Sequence, residues 1–478
     1  MDTRLGRIVG QLRHRDARAR GRRARAALRS RQTHGFPPNR RSHTQRIFLW
    51  VELLKKNKII FHRKDPRGQK SEVRSQKPEV GTSEVRKRAF DLRPLISVFW
   101  SLVSDLWPLT SGICFLFFAL SCSGTLYFVA SGTEGTDVGW EQYGGSETRT
   151  GHAPWGVDPP LKLRTRMKAG SAIMASPLVR GRVVYAVGVD GRLRAWDRKT
   201  GESLGKWHSK GKILETPAFW NGLLVLPKCG KKAELAALDM LSGKVRWRLK
   251  GASVWSPLVA GDRLFVTTSS GAVVSLNAAD GTEFWRFKME GTTRSSAAMG
   301  DTVLYVGSDE GVAAFGESCG DLLWKQETMG SVWATPAVGE DGVYVGSTGG
   351  VVYRLNRASG EVIWTFELEG GIYGGCALDS ARVVFGATDR ALYALDRSTG
   401  QLVWRFETQG VIRAAPVTTG RTVYVGSMDR FFYGIAADSG ALRWKHETKG
   451  AIVSAPALVE DGVYIGSTDG FLYAFGRK

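Results

Sequence analysis

The 478-residue chain is short of the residues from which most active sites are made. It has five cysteines, no two of them adjacent, and such a set does not make a disulfide framework. Histidine occurs seven times, and five of these (His14, His34, His43, His62 and His152) lie before residue 153. The other two, His208 and His446, each follow a tryptophan-strand position and read as surface residues. No His, Cys, Asp or Glu cluster has metal-ligand spacing, so no metal centre is predicted. The recurrent Asp197, Asp239 and Asp396 stand where a turn takes an Asx hydrogen bond. No segment sustains apolar residues at i, i+3, i+4 and i+7, which excludes a solenoid of helix pairs. The Gly-Ser runs, such as residues 307–311, precede no helix and are hairpin turns rather than phosphate loops.

Against these absences stands a repeat. Gly201, Gly243, Gly281, Gly320, Gly360, Gly400 and Gly440 recur at nearly one interval. Six are followed four residues later by Trp247, Trp285, Trp324, Trp364, Trp404 and Trp444, and Gly205 takes that slot in the first copy. A Ser, Thr or Ala before proline (Pro177, Pro217, Pro257, Pro336, Pro416, Pro456) recurs with the same period, with Ala297 and Cys376 filling the proline slot in two copies. That makes eight units of about 40 residues. Within each, Val, Tyr, Phe and Trp alternate with period two between turn signals such as Asp190-Gly191 and Asp469-Gly470. Four short strands per unit describe a propeller blade. The expected fold is all-β, an eight-bladed propeller of four-stranded antiparallel blades. The last unit stops after its third strand, so the alternating stretch from Leu161 to Met167 is predicted to supply the fourth and close the ring. The six tryptophans are predicted to pack between neighbouring blades.

The pattern from Ala394 to Trp404, Ala-Leu-Asp-x-x-Thr-Gly-x-x-x-Trp, resembles the quinoprotein-type (PQQ-like) propeller repeat. Eight copies with N-terminal closure are most similar to the outer-membrane protein assembly factors of the BamB type. The resemblance covers roughly residues 160–478. It implies a scaffold that binds protein partners, namely the barrel-assembly machinery of an outer membrane. The enzyme branch of the family implies oxidation of alcohols with pyrroloquinoline quinone and calcium, using a vicinal cysteine pair and inserted carboxylates. Here Cys229, Cys319 and Cys376 fall in different blades, and the blades are near minimal length. The expectation is therefore a protein that is not an enzyme and holds no cofactor. A quinone-dependent dehydrogenase and a polysaccharide- or ligand-sensing propeller are the alternatives.

The front of the chain is unlike the rest. Residues 1–100 hold 27 Lys and Arg against 8 Asp and Glu, whereas the remaining 378 residues hold 40 against 37, so the net charge of +22 is concentrated in the first hundred residues. The first fifty contain fourteen Arg and no Lys, and residues 73–80 and 105–112 can be encoded by opposite strands of nearly the same DNA. Residues 1–94 are read as disordered or untranslated, with a functional basic arm as the third reading; no nucleic acid is expected as a partner. Residues 95–122 read as a signal or anchor segment. Its uncharged run 113–121 has the length of a signal-peptide core and precedes Cys122, the candidate for lipidation. That places the propeller in the cell envelope, on the periplasmic side of the outer membrane, with an uncleaved anchor as the alternative. Residues 123–159 read as a tether, and 160–478 as the ring, expected to be monomeric.

The remaining candidates are surface. Residues two or three places before each proline slot begin the innermost strand and differ from blade to blade. Met174, Glu215, Trp255, Arg294, Trp333, Tyr373, Arg413 and Val453 hold these positions. Trp255, Arg294, Trp333, Tyr373 and Arg413 are the candidate partner-binding rim, because Trp, Tyr and Arg are favoured at binding hot spots. The alternative is that these aromatics only fill the channel.

Overall fold

The structure, a computed structural model, describes residues 139–230, 233–251 and 253–477. Those residues form eight four-stranded antiparallel sheets and contain no helix. Seven blades are built from consecutive strands. Blade 1 runs from Leu178 to His208, blade 4 from Ala298 to Glu327 and blade 7 from Val417 to Glu447. Each blade is a chain of hairpins whose second and third strands are buried, as in Val423–Ile435, while the outermost strand alternates between partly buried and exposed residues.

The eighth blade joins the two ends of the ring. Lys162–Lys168 pairs antiparallel with Phe471–Gly476, in register from Lys162 opposite Gly476 to Lys168 opposite Phe471. This is the closure the alternating stretch 161–167 predicts. Without it the outer edge of Phe471–Gly476 would be an unpaired ladder, and the last blade would hold three strands.

The repeated glycine and tryptophan act on one another across blades. Gly281, Gly320, Gly360, Gly400 and Gly440 all have positive φ, and a Cβ at each would strike the indole of Trp247, Trp285, Trp324, Trp364 or Trp404 respectively. The glycine turn of one blade thus forms the flat seat for the tryptophan of the blade before it, which no residue with a side chain can do. Each of these indoles donates its N–H to a carbonyl of the same turn: Ala278 at 3.1 Å, Glu317 at 2.8 Å, Arg357 and Arg397 at 3.0 Å, and Ala437 at 2.8 Å. Trp444 packs instead edge-on against Phe475 of the closing blade. At Gly201 the seat receives Thr165 of the closing strand.

The described part of the expected tether is not a tether. Residues 139–159 run round the channel and hydrogen-bond one inner strand after another. Trp140 exchanges two backbone bonds with Val179 of blade 1. The N–H groups of Phe219, Met299, Val338, Leu378 and Thr418 then donate to the carbonyls of Glu141, Glu147, Thr148, Thr150 and Gly151, at 2.8–3.0 Å. Val259 donates to the Gln142 side chain at 3.1 Å. These donors occupy one repeat position in blades 1 to 7. Leu458, at that position in blade 8, packs on Gly156. Composition suggested a linker because the stretch is rich in Gly, Ser and Thr; the structure uses its backbone carbonyls, which composition does not reveal.

Candidate functional site

The two ends of the inner strands are chemically different. The ring-lining segment binds at the downstream end, at residues 179 to 418. The rim residues lie four or five positions upstream. They do not begin the inner strands, as the sequence suggested, but precede them, because those strands are only two or three residues long, as in Ala337–Gly339. One mouth of the channel is therefore lined by the segment 139–159, and the other by the rim set.

Four of the rim residues, on four consecutive blades, form a continuous stack. The Arg294 guanidinium lies 4.3 Å from the Trp333 ring centroid. Trp333 meets Tyr373 edge-on at 5.3 Å, and Arg413 lies 5.1 Å from the Tyr373 centroid. Such cation–π contacts contribute about 0.5–1 kcal/mol each when exposed. Trp333 also donates to Asp309 at 3.3 Å. Trp255 stands apart from the stack, its indole N–H held by the Thr293 carbonyl at 2.8 Å. Of the other two uncharged rim residues, Met174 is exposed and Val453 is partly buried.

Three titratable groups of the channel, one of them at a rim position, are strongly affected by burial. Glu215, taken from the sequence only as a rim position, accepts a 3.1 Å bond from Ser256. Burial pushes its carboxyl up to about 7, and the Ser256 bonds only partly offset this. Tyr143 accepts from the Gly375 N–H at 3.4 Å, and burial pushes its phenol up to about 12. Arg149 is fully buried, with its guanidinium on the carbonyls of Ala297 (3.2 Å), Pro257 (2.8 Å) and Tyr143. Burial lowers its pKa to about 9, against the raising influence of Tyr143 and Glu147. Arg149 thus ties blades 3 and 4 to the ring-lining segment. No repeat signal marks Tyr143 or Arg149, because both lie outside the repeats.

The raised pKa of Glu215 has a measurable consequence. In the unfolded chain the carboxyl ionises near 4.5, and in the ring only near 7. Below pH 4.5 it is neutral in both states and has no effect. Between 4.5 and 7 the unfolded state gains by ionising and stability falls, reaching a constant loss above 7 of about 3 kcal/mol. Glu215→Gln is expected to unfold at higher urea than the parent at pH 8 and at the same urea at pH 4. An equal difference at both pH values would remove the ionisation as its cause.

Elsewhere the candidates stay apart. Cys229, Cys319 and Cys376 are free thiols, and burial pushes the Cys376 thiol up, away from reactivity. Among the described residues no three His, Cys, Asp or Glu side chains gather to hold a metal. Calcium takes six to eight oxygen ligands, and the rim aromatics Trp333 and Tyr373 have arginines over their rings, so these residues do not fit a calcium-bound quinone stacked there. His208 is exposed, and His446 stacks on Trp444 with its pKa lowered by burial. Asp197, Asp239 and Asp396 each accept turn N–H groups, such as Thr399 on Asp396 at 2.9 Å. Cys122 lies outside the described residues.

Known proteins resemble the chain in three ways. A family profile described as outer membrane protein assembly factor BamB matches residues 231–368 and 348–478, which together span more than half of the chain. A polyvinylalcohol dehydrogenase of Pseudomonas sp is 41% identical over 96 residues, 18% of this chain and 15% of that protein. The chain thus matches only a small part of the length of its curated relatives. Among solved structures, BamB from Moraxella catarrhalis superposes with a TM-score of 0.59 at 19% identity, over 66% of this chain and all of that one. The quinohemoprotein alcohol dehydrogenase of Comamonas testosteroni gives 0.61 at 14% identity, over 71% of this chain and 81% of that one. At these identities the superpositions show the fold alone. The named dehydrogenase relatives overturn the expectation that the chain is not an enzyme. That expectation rested on the missing cysteine pair and the short blades.

Proposed function

The chain belongs to the family described as outer membrane protein assembly factor BamB, and from that membership we propose that its ring is a binding scaffold of the cell envelope. The partner in this reading is protein, the barrel-assembly machinery. The site is the stacked rim at the open mouth of the channel, on the periplasmic side of the outer membrane. The observation that carries the reading is the Arg294–Trp333–Tyr373–Arg413 stack. It pre-orders side chains of hot-spot type on four blades, so little rotamer entropy is lost when a partner docks. Lipid attachment at Cys122 belongs to the same reading.

Replacing the four stacked residues by alanine is expected to leave the unfolding transition in place, because none of them is a core strand residue. Capture of barrel-assembly proteins from detergent-solubilised envelopes should fall about tenfold or more. Undiminished capture would move the partner site away from the rim.

A second reading is favoured by the curated relatives, both named polyvinylalcohol dehydrogenase. In it the ring is a dehydrogenase module, and polyvinyl alcohol is the substrate to try first. Dye reduction dependent on polyvinyl alcohol supports this reading if it is abolished by heat and scales with protein; its absence removes it.

A further inference from the structure

The outer edge of the ring carries a charge pattern that neither reading uses. The last residue of each outermost strand stands opposite the first residue of the strand inside it, so the eight positions are equivalent. In blade order from the closing blade they are Lys168, His208, Lys250, Lys288, Glu327, Glu367, Glu407 and Glu447, all exposed. Three of the first four blades carry a lysine and one a histidine, and the next four carry a glutamate.

Compensation is partial in both halves: Glu327 and Glu367 have no ion-pair partner among the described residues, and Arg286 and Arg248 pair with Glu283 and Glu234. Glu407 pairs with Arg405, and Glu447 with Arg430. Lys162, Lys168, Lys206 and Lys250 have no carboxylate partner among the described residues, and Arg166 lies over the Phe471 ring. Exposed apolar side chains stand among these cations: Leu163, Leu204 and Phe284, at 41%, 38% and 50% exposure. Similar apolar positions occur on the glutamate half, as at Leu323 and Ile363, so the distinction lies in charge. That distinction is sharpest between the closing blade and blade 2 on one side and blade 5 on the other, since blade 3 also carries Glu283 and blade 7 Arg443 and Lys445.

We propose that the arc formed by the closing blade and blades 1 to 3 docks on an anionic lipid surface. The shape of the edge decides against the other anionic partners. The glutamate arc of a second copy is also convex, and two rigid convex edges meet at about one blade. An acidic peptide added as a strand would run along one blade's outer strand and read that blade only. A fluid layer of headgroups conforms to a convex edge and reaches several blades together. Each Lys or Arg near such a surface contributes about 1 kcal/mol, lost as salt screens it, and Leu163, Leu204 and Phe284 are placed to enter the headgroup layer.

The basic first hundred residues would bind anionic vesicles by themselves, so the test must resolve individual sites in the full chain. Lysine acetylation is followed by mass spectrometry with vesicles of phosphatidylcholine, or of phosphatidylcholine with about one-third phosphatidylglycerol. With the anionic vesicles, Lys162, Lys168, Lys206, Lys250 and Lys288 are expected to be protected at least fivefold, while Lys325, Lys445 and Lys449 are not. Protection should vanish in 0.5 M salt (roughly a 4–5 Å Debye length) and with neutral vesicles. In the variant carrying Lys206→Glu, Lys250→Glu and Lys288→Glu, protection of Lys162 and Lys168 should also be lost. Equal protection of both arcs overturns the proposal, as does protection confined to lysines before residue 100. Protection that grows with protein concentration without vesicles overturns it in favour of a second copy.

Discussion

A chain trimmed to begin at Ala169 is expected to show no cooperative unfolding transition, whereas one trimmed to begin at Gly139 keeps a transition like that of the full chain. The shorter chain loses the ladder to Phe471–Gly476 together with the buried side chains of Leu161 and Met167. It also loses the acceptors for the N–H groups of Phe219, Met299, Val338, Leu378 and Thr418, all buried residues. An unpaired buried polar group costs about 1–3 kcal/mol. Several of them exhaust the ~5–15 kcal/mol by which a typical domain is stable. Calorimetry of the two chains checks this. A similar melting temperature for both would show that neither the closing strand nor the ring-lining segment holds the propeller together.

The next largest effect is expected at the blade interfaces. Trp404 is 6% exposed and seated on Gly440, with its N–H on the Ala437 carbonyl at 2.8 Å. Trp404→Ala removes the ring, leaves a cavity between blades 6 and 7 and orphans that carbonyl. The expected loss is about 3–5 kcal/mol in urea unfolding. Gly440→Val should be damaging for the reciprocal reason. At φ +72 a branched side chain is strained, and its Cβ would lie 2.9 Å from the Trp404 ring. The pair should be non-additive: in the Trp404→Ala background the valine has room, so its further cost falls to that of the backbone strain. Full additivity would show that glycine and tryptophan act independently.

How much of this was legible beforehand follows from where each part stores its information. The glycines at 281 to 440 and the tryptophans four residues beyond them are side-chain requirements, repeated because every blade presents the same interface, so period alone revealed fold and blade number. The closing strand was legible because 161–167 alternates like the strand it replaces. The segment 139–159 was not. It binds the blades mostly through carbonyls, which every residue has, so no pattern of residue types betrays it. The rim positions could be read off the repeat, but the stacking of Arg294, Trp333, Tyr373 and Arg413 on one another depends on the angle between blades. Glu215 was visible as a residue; its raised pKa comes from surroundings contributed by Ser256 forty-one residues away and by burial in the channel.

The order of acceptors along residues 140–151 makes that segment a gauge of ring size. Its successive acceptors fall to successive blades, from Val179 to Thr418, with Leu458 of the eighth on Gly156. A ring that had gained or lost one repeat by unequal exchange within its own coding sequence would still fold each blade correctly. It would nevertheless bring one donor too many, or one too few, to a segment of fixed length. Repeat sequences of this kind change copy number readily, and here a single non-repeated stretch of about twenty residues penalises every number except eight.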